Sequence, residues 1–208
     1  MHLRAEALIL TARAHGEHGA IVRSLTAEHG MIAGYVRGGR STRLRPVLQP
    51  ANLVLGDWRA RTDDQLAGLT VELIHSRAPL YVEPLPAAAL EWVTVLTATA
   101  LPEGNPYPRL HAALDGVIGA VEAASAARGW GLALARYEWL LLAELGYGLE
   151  RARLPESMRT GGEAGWTDIL AALAMTGDAI AADLFADRRG DPLMARARLM
   201  DRLKRVVA

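Results

Sequence analysis

Apolar and polar residues alternate along the first third of the chain, then give way to a three-to-four-residue beat. Leu8 and Leu10 alternate with Ile9 and Thr11. In the next run Ile21, Arg23 and Leu25 face one way, and Val22, Ser24 and Thr26 the other. His29-Gly30 marks a turn before a third run, Met31 to Arg37. Leu53, Leu55 and Asp57 oppose Val54, Gly56 and Trp58 in a fourth, and Leu69, Val71 and Leu73 oppose Thr70, Glu72 and Ile74 in a fifth. Period-two alternation between glycine-containing turns predicts half-buried antiparallel strands. Five short strands within residues 1–77 predict a closed barrel rather than an open sheet, because closure removes exposed edges.

Residues 78–86 carry Pro79, Pro84 and Pro86 and predict a junction, since proline withholds a ladder donor and disfavours helix before it. From 87 to 208 the period is helical. Leu90, Val93, Leu96 and Ala100 form one stripe, and Leu110, Leu114, Val117, Ile118 and Val121 another, with Pro102, Pro106 and Pro108 between them. Residues 130–146 are apolar on nearly every face, which predicts the buried centre of a bundle ended by Gly146 and Gly148. Thr160 to Gly165 reads as a loop, and Leu193, Ala197, Met200 and Leu203 as a last helix. The expected fold class is all-β plus all-α: a five-stranded barrel followed by a helical domain.

Composition narrows the chemistry. The chain has no cysteine, which excludes disulfides, thiolate nucleophiles and thiolate metal sites. The N-terminal apolar run is interrupted by Glu6. The run from Trp92 to Pro102 holds three threonines and is too short to span a bilayer, so a cytoplasmic protein with no membrane partner is expected. The net charge of zero is an average of two unlike halves. Residues 1–80 hold ten Arg and seven acids, a net of +3, and residues 81–208 hold thirteen bases and sixteen acids, a net of −3. Between Met31 and Gly56 stand Arg37, Arg40, Arg43 and Arg45 with no acid at all. Arginine holds phosphate oxygens in a bidentate fork and stacks on bases, and Gly38-Gly39 lets backbone approach a ligand closely. A phosphate-tracking groove with Tyr35 and Trp58 as stacking platforms is one reading. A solvated arginine-bearing hairpin, with Trp58 in the core, is the other.

The motifs themselves resemble a known family, the bacterial recombination mediator RecO. They are Gly16-Glu17, Leu25-Thr26-Ala27-Glu28-His29-Gly30, Val36-Arg37-Gly38-Gly39-Arg40-Ser41, Leu48-Gln49-Pro50, and the run from Tyr137-Glu138-Trp139 to Gly146-Tyr147-Gly148-Leu149. Order and spacing match over roughly residues 1–150. The resemblance implies an N-terminal OB-fold and a helical C-terminal domain. It implies binding of single- and double-stranded DNA, annealing of complementary strands, and action on single-stranded-DNA-binding protein (SSB) through the SSB C-terminal tail. RecR is the implied partner and loading of the RecA recombinase the implied outcome. Many members carry a cysteine cluster with zinc-ligand spacing after the Gly-Tyr-Gly segment. Here that region reads Leu149-Glu150-Arg151-Ala152-Arg153-Leu154-Pro155, so no thiolate zinc site forms, and no cofactor is expected.

Other constellations carry less. His15 and His18 have metal-like spacing but no evident third ligand. Asp63-Asp64 and Asp187/Asp191 read as solvated loop carboxylates. No G-x-x-x-x-G-K-[ST] motif exists, and no catalytic constellation stands out, so an enzyme is not expected. Arg196, Arg198, Arg202, Lys204 and Arg205 on the last helix are a solvated face, a second DNA contact, or cations for an acidic tail. A protein–protein adaptor whose barrel does not bind nucleic acid is the alternative to the mediator.

Overall fold

A computed structural model gives the fold; it describes all residues except 63, 64, 125, 149–153, 161–163, 187–191 and 208. Asp63-Asp64, Asp187/Asp191, the segment 149–153 and residues 161–163 of the expected 160–165 loop lie outside the described residues. The chain divides into two compact units, Met1–His111 and Ala112–Ala208.

The first unit is a closed barrel of β1 (His2–His15), β2 (Gly19–Thr26), β3 (Gly30–Val36), β4 (Leu53–Arg59) and β5 (Gly68–His75), in the order β1-β2-β3-β5-β4. This is the five-stranded OB-fold. The long first strand makes the closure possible. Its first half pairs with β4 from His2↔Arg59 to Leu8↔Leu53, and its second half with β2 from Leu8↔Leu25 to His15↔Gly19. A register shift between Ile9 and Thr11 bends it.

Alternation sets the interior. Ala7, Ile9, Val22, Val54, Trp58 and Leu69 face inward. Leu8 and Leu10, on the opposite face of β1, are equally buried because the helix α1 (Pro84–Ala100) packs on that strand. Trp58 is completely buried, so the reading of it as a stacking platform is corrected here. The reason is the shape of the lumen. Gly34 on β3 and Gly56 on β4 leave the slot its indole fills: a Cβ at Gly34 would come within 3.0 Å of the ring, and one at Gly56 within 2.3 Å.

Residues 78–86 form a short 3-10 turn, Ala78–Tyr81, and the start of α1, where Pro84 suits a first helical turn. Tyr81 donates its hydroxyl to the Pro50 carbonyl at 3.0 Å. The compact unit extends past this proline-rich stretch to include α1. The three threonines of α1 that weaken its apolar run are satisfied locally: Thr94, Thr97 and Thr99 donate to the carbonyls of Leu90, Val93 and Val95. No helix among the described residues is long and apolar enough to cross a membrane.

The helix α2 (Pro108–Ala123) runs across the division of the chain. The second unit contains α3 (Arg128–Glu144), α4 (Glu156–Thr160), α5 (Trp166–Ala179) continued by a π-helical turn to Leu184, and α6 (Pro192–Val207). On α3, Trp130, Leu134, Tyr137, Leu141 and Leu142 are buried, while Trp139, Leu140 and the capping residue Leu145 are only half-buried, so the helix does not bury every face as its apolar pattern predicts. Gly131 lets α5 approach, since a Cβ there would meet Ile169 at 2.9 Å. The expected glycine stop is present. Gly146 has φ +86°, its N–H reaches Ala143 O, and Tyr147 N–H reaches Leu142 O at 2.8 Å, a Schellman cap.

Inside this unit Glu138 is fully buried. Arg196 forks onto it, Nε to Oε1 at 3.2 Å and Nη2 to Oε2 at 3.1 Å, and Thr176 donates its hydroxyl to Oε2. Arg196 also lies over Gly177, where a Cβ would fall 2.1 Å from Nη1. Among the basic residues of the last helix, Arg196 is thus an internal partner and not a surface cation, because the buried carboxylate needs a bidentate counter-charge.

Candidate nucleic-acid interface

The arginine segment is the crossover from β3 to β4, residues 37–52. Its sequence is amphipathic at close range. Leu48 is buried in the barrel core with Leu44 and Val47 beside it, while Arg43 and Arg45 are exposed. Two i→i+4 bonds shape it, Arg45 N–H to Ser41 O at 2.9 Å and Leu48 N–H to Leu44 O at 3.0 Å, and Ser41 Oγ accepts from Leu44 N–H. Its far end is clamped by Asn52, which is fully buried. The Asn52 amide donates to the Pro46 and Val47 carbonyls, and its Oδ1 accepts from Arg77 N–H at 2.8 Å. Ala51 sits at φ +68° and donates its N–H to Ile9 O at 2.8 Å, while Ile9 N–H donates to Asn52 O at 2.9 Å.

This crossover and the projecting ends of β1 and β2 enclose a groove of about 540 Å3. Ala12, Ala14 and Ala20 line it from the strands, Gly39 and Leu48 from the crossover, and Arg40 and Arg45 contribute the cations. The wall is open because its residues are small. Gly39 belongs to the same logic, since a Cβ there would stand 2.7 Å from Ala20 Cβ. A second depression of about 430 Å3 lies on the other side of Arg40, against Glu17, His18, Gly38 and Ser41.

The arginines of the barrel differ in what they already hold. Arg23 donates to Glu103 and to Ala98 O, and Arg77 is buried with Nη1 on Ala51 O. Arg59 forks onto Asp57 at 2.9 Å for each bond, and that hydrogen bond holds the Asp57 carboxyl below its ordinary range. Arg40 donates from Nη1 to Glu17 O at 2.9 Å and Gly16 O at 3.3 Å. Arg37, Arg43 and Arg45 are exposed and have no acceptor among the described residues. Of the four sequence candidates, Arg40 and Arg45 line the groove together, while Arg37 and Arg43 stand exposed along the same crossover.

Tyr35 is half-buried on the outer face of β3. Its ring meets His15 edge-on at 6.0 Å and covers Gly19, where a Cβ would lie 2.3 Å from the phenol. His15 therefore supports an aromatic ring, and among the described residues no three His, Asp or Glu side chains converge as a metal site. Ala12, Ala14 and Ala20 were not among the sequence candidates; for the first two the available signal is alanine at alternate positions where β1 continues beyond its apolar core.

A five-stranded OB-fold barrel followed by helices defines the class of architecture, a fold that serves oligonucleotide- and oligosaccharide-binding proteins alike. Comparison with known proteins makes the assignment specific. Residues 1–77 match the family model "Recombination protein O N terminal", and residues 86–164 match "Recombination protein O C terminal". The DNA repair protein RecO of Cereibacter sphaeroides (strain ATCC 17029) is 33% identical over 241 aligned positions, covering 99% of each chain. That of Jannaschia sp. (strain CCS1) is 36% identical, covering 100% of this chain and 98% of the relative. That of Phenylobacterium zucineum is 38% identical, but the match takes in 74% of this chain and only 62% of that protein. The chain belongs to the RecO family of DNA repair and recombination proteins. The Cereibacter match runs well beyond residue 150, where the motif resemblance ends. Its 241 aligned positions against 208 residues also mean that at least 33 positions have no counterpart here.

Proposed function

We propose that the chain is a recombination mediator that works by binding alone, with the β3–β4 crossover as its DNA contact. Arg37, Arg43 and Arg45 take phosphates directly, and Arg40 adds its remaining donors while it holds the β1–β2 turn. Two strands held on one cationic surface repel each other less, which favours annealing of complementary single strands and retention of the duplex. Tyr35 is the candidate stacking ring. The observation that carries this reading is that three arginines on one short, acid-free crossover have no protein acceptor among the described residues, and exposed guanidinium groups of that kind are suited to phosphate.

The rest of the reading follows family membership. The chain acts with RecR in the cytoplasm to load RecA on SSB-coated single strands, meets the SSB C-terminal tail through its helical domain, and needs neither zinc nor catalysis. We assign residues 1–77 to the DNA-binding domain, 78–86 to a junction and 87–208 to the helical domain.

Salt titration of oligonucleotide binding tests it. Three to four phosphate contacts on a single strand give a slope of log K against log salt of roughly −2.1 to −2.8, at ~0.7 per contact. Changing Arg37, Arg40, Arg43 and Arg45 to Ala should remove most of that slope in a folded protein. An unchanged slope moves the DNA site elsewhere. Binding of SSB but of no oligonucleotide, by the unaltered chain, establishes the adaptor in its place.

A further inference from the structure

One polar side chain of the arginine groove is unused. Gln49 lines that cavity together with Arg40 and Arg45, is half-buried, and its amide has no partner among the described residues. Asn52, three residues on, shows the contrast. Its amide is fully buried and uses both sides, on the Pro46 and Val47 carbonyls and on Arg77 N–H. Much of the remaining lining is methyl surface. Ala12 and Ala14 stand at alternate positions of β1 and so share a face, and Ala14 pairs directly with Ala20 on β2. Leu48 and Pro50 add apolar surface, and no carboxylate stands among the lining residues. The cavity of about 540 Å3 is of a size that holds one small molecule, a single nucleotide and not a run of them.

We propose that this groove is a pocket for one unstacked base of single-stranded DNA, and that Gln49 reads the edge the base otherwise turns to a complementary strand. The proposal rests on the DNA reading of the crossover and adds what the groove selects. Three features converge on a nucleotide. The Arg45 guanidinium, without an acceptor among the described residues, and the remaining donors of Arg40 suit its phosphate. The alanine methyls admit and contact a flat ring, and every base presents one. The Gln49 amide sets a donor and an acceptor side by side in one plane. Each base carries the same pair on its pairing edge: adenine N6–H and N1, thymine N3–H and O4, guanine N1–H and O6, cytosine N4–H and N3. A half-turn of the amide matches either order, so the pocket takes any base provided it is unpaired. In a duplex that edge belongs to the other strand, and a base must leave the stack to be read there. A complementary strand therefore competes with Gln49 for the base. The groove separates single strands from duplex, and it lets go as annealing proceeds.

The chain holds two glutamines, and the other, Gln65, lines a different cavity. The whole chain labelled at glutamine thus gives one side-chain amide signal for the pocket and one control. A thymidine tetranucleotide should shift the Gln49 amide and leave Gln65 in place, and a blunt hairpin duplex should move neither. In binding titrations, thymidylate methylated at N3 keeps its ring but loses its pairing edge, and should bind about fivefold more weakly. An abasic strand with the same phosphates should bind at least about tenfold more weakly. Gln49→Ala should lower the ratio of single-strand to duplex affinity by about fivefold and should no longer distinguish methylated from unmethylated thymidylate. Ala14→Leu, at an exposed position on β1, fills the groove from its other side and should cost about tenfold in single-strand affinity. If no oligonucleotide binds, the DNA reading falls and this proposal with it. If the tetranucleotide binds but the methylated and abasic strands bind as well as their parent, or the Gln49 amide does not move, the base pocket alone is overturned and the arginines hold phosphate only. An Asp-rich peptide that shifts the Gln49 amide where the tetranucleotide does not also overturns it, in favour of an acidic protein segment.

Discussion

Arg40 donates from its guanidinium to the Glu17 carbonyl at 2.9 Å, and its own N–H reaches His18 O at 3.2 Å, so the crossover and the β1–β2 turn are pinned together by one residue. Arg40 therefore differs from its neighbours in role. Arg40→Ala should destabilise the chain by about 1 kcal/mol, from lost bonds to main-chain carbonyls. Arg37→Ala and Arg43→Ala should stay within about 0.5 kcal/mol of the parent. Urea unfolding midpoints of the three variants measure the contrast.

The paired glycines next to Arg40 should respond in opposite ways to size and to strain. Gly38 has φ +71° and open space around it, so Gly38→Ala should cost about 1–2 kcal/mol through backbone strain alone. Gly39 faces Ala20 and Leu48 Cδ1 (3.2 Å from an added Cβ), so Gly39→Val should push the groove wall and weaken oligonucleotide binding more than Gly38→Ala does. Melting temperature and binding of the two variants, compared side by side, separate the effects.

Glu138 and Arg196 should behave as one unit. Glu138→Leu leaves a mostly buried guanidinium without its carboxylate and should cost about 3–5 kcal/mol. The double change Glu138→Leu with Arg196→Met should recover much of that loss, because no uncompensated charge remains. A double-mutant cycle in urea gives the coupling. Additive losses would show that the pair is incidental.

Tyr81 supplies a pH dependence. Burial, with Glu91 nearby, pushes its phenol well above the usual tyrosine range, and its hydroxyl donates to Pro50 O. With the folded value raised, its contribution is fully present below the unfolded value of about 10 and is lost as pH climbs above that toward the folded one. Tyr81→Phe should flatten the fall of melting temperature above pH 10, with little effect at neutral pH beyond one lost hydrogen bond.

Much of the barrel was legible in the chain itself. Each alternating run became a strand, because a side chain in an extended backbone must face one side or the other and burial selects the apolar set. The helical stripes at 90–100, 110–121 and 193–203 likewise fall on α1, α2 and α6. The helix Trp166–Ala179 went unread, although Ile169, Ala172, Leu173 and Thr176 lie on one buried stripe, because glycine and threonine around it suggested a loop. Trp58 and Tyr35 looked equivalent as aromatics on strands. Which one filled the lumen depended on Gly34 and Gly56, residues on two strands whose proximity exists only after closure.

By itself the sequence determined the order of strands and helices, the absence of thiolate chemistry, and the concentration of positive charge in one acid-free crossover. Those are local properties, settled by period, composition and spacing. The tertiary structure decided which arginines are available: Arg23, Arg59, Arg77 and Arg196 found acceptors up to 80 residues away in the chain, Arg40 was shared with a turn, and Arg37, Arg43 and Arg45 were left to solvent. A hydrogen bond is made or missed by distances of a few tenths of an ångström between residues far apart in the chain, and only folding sets those distances.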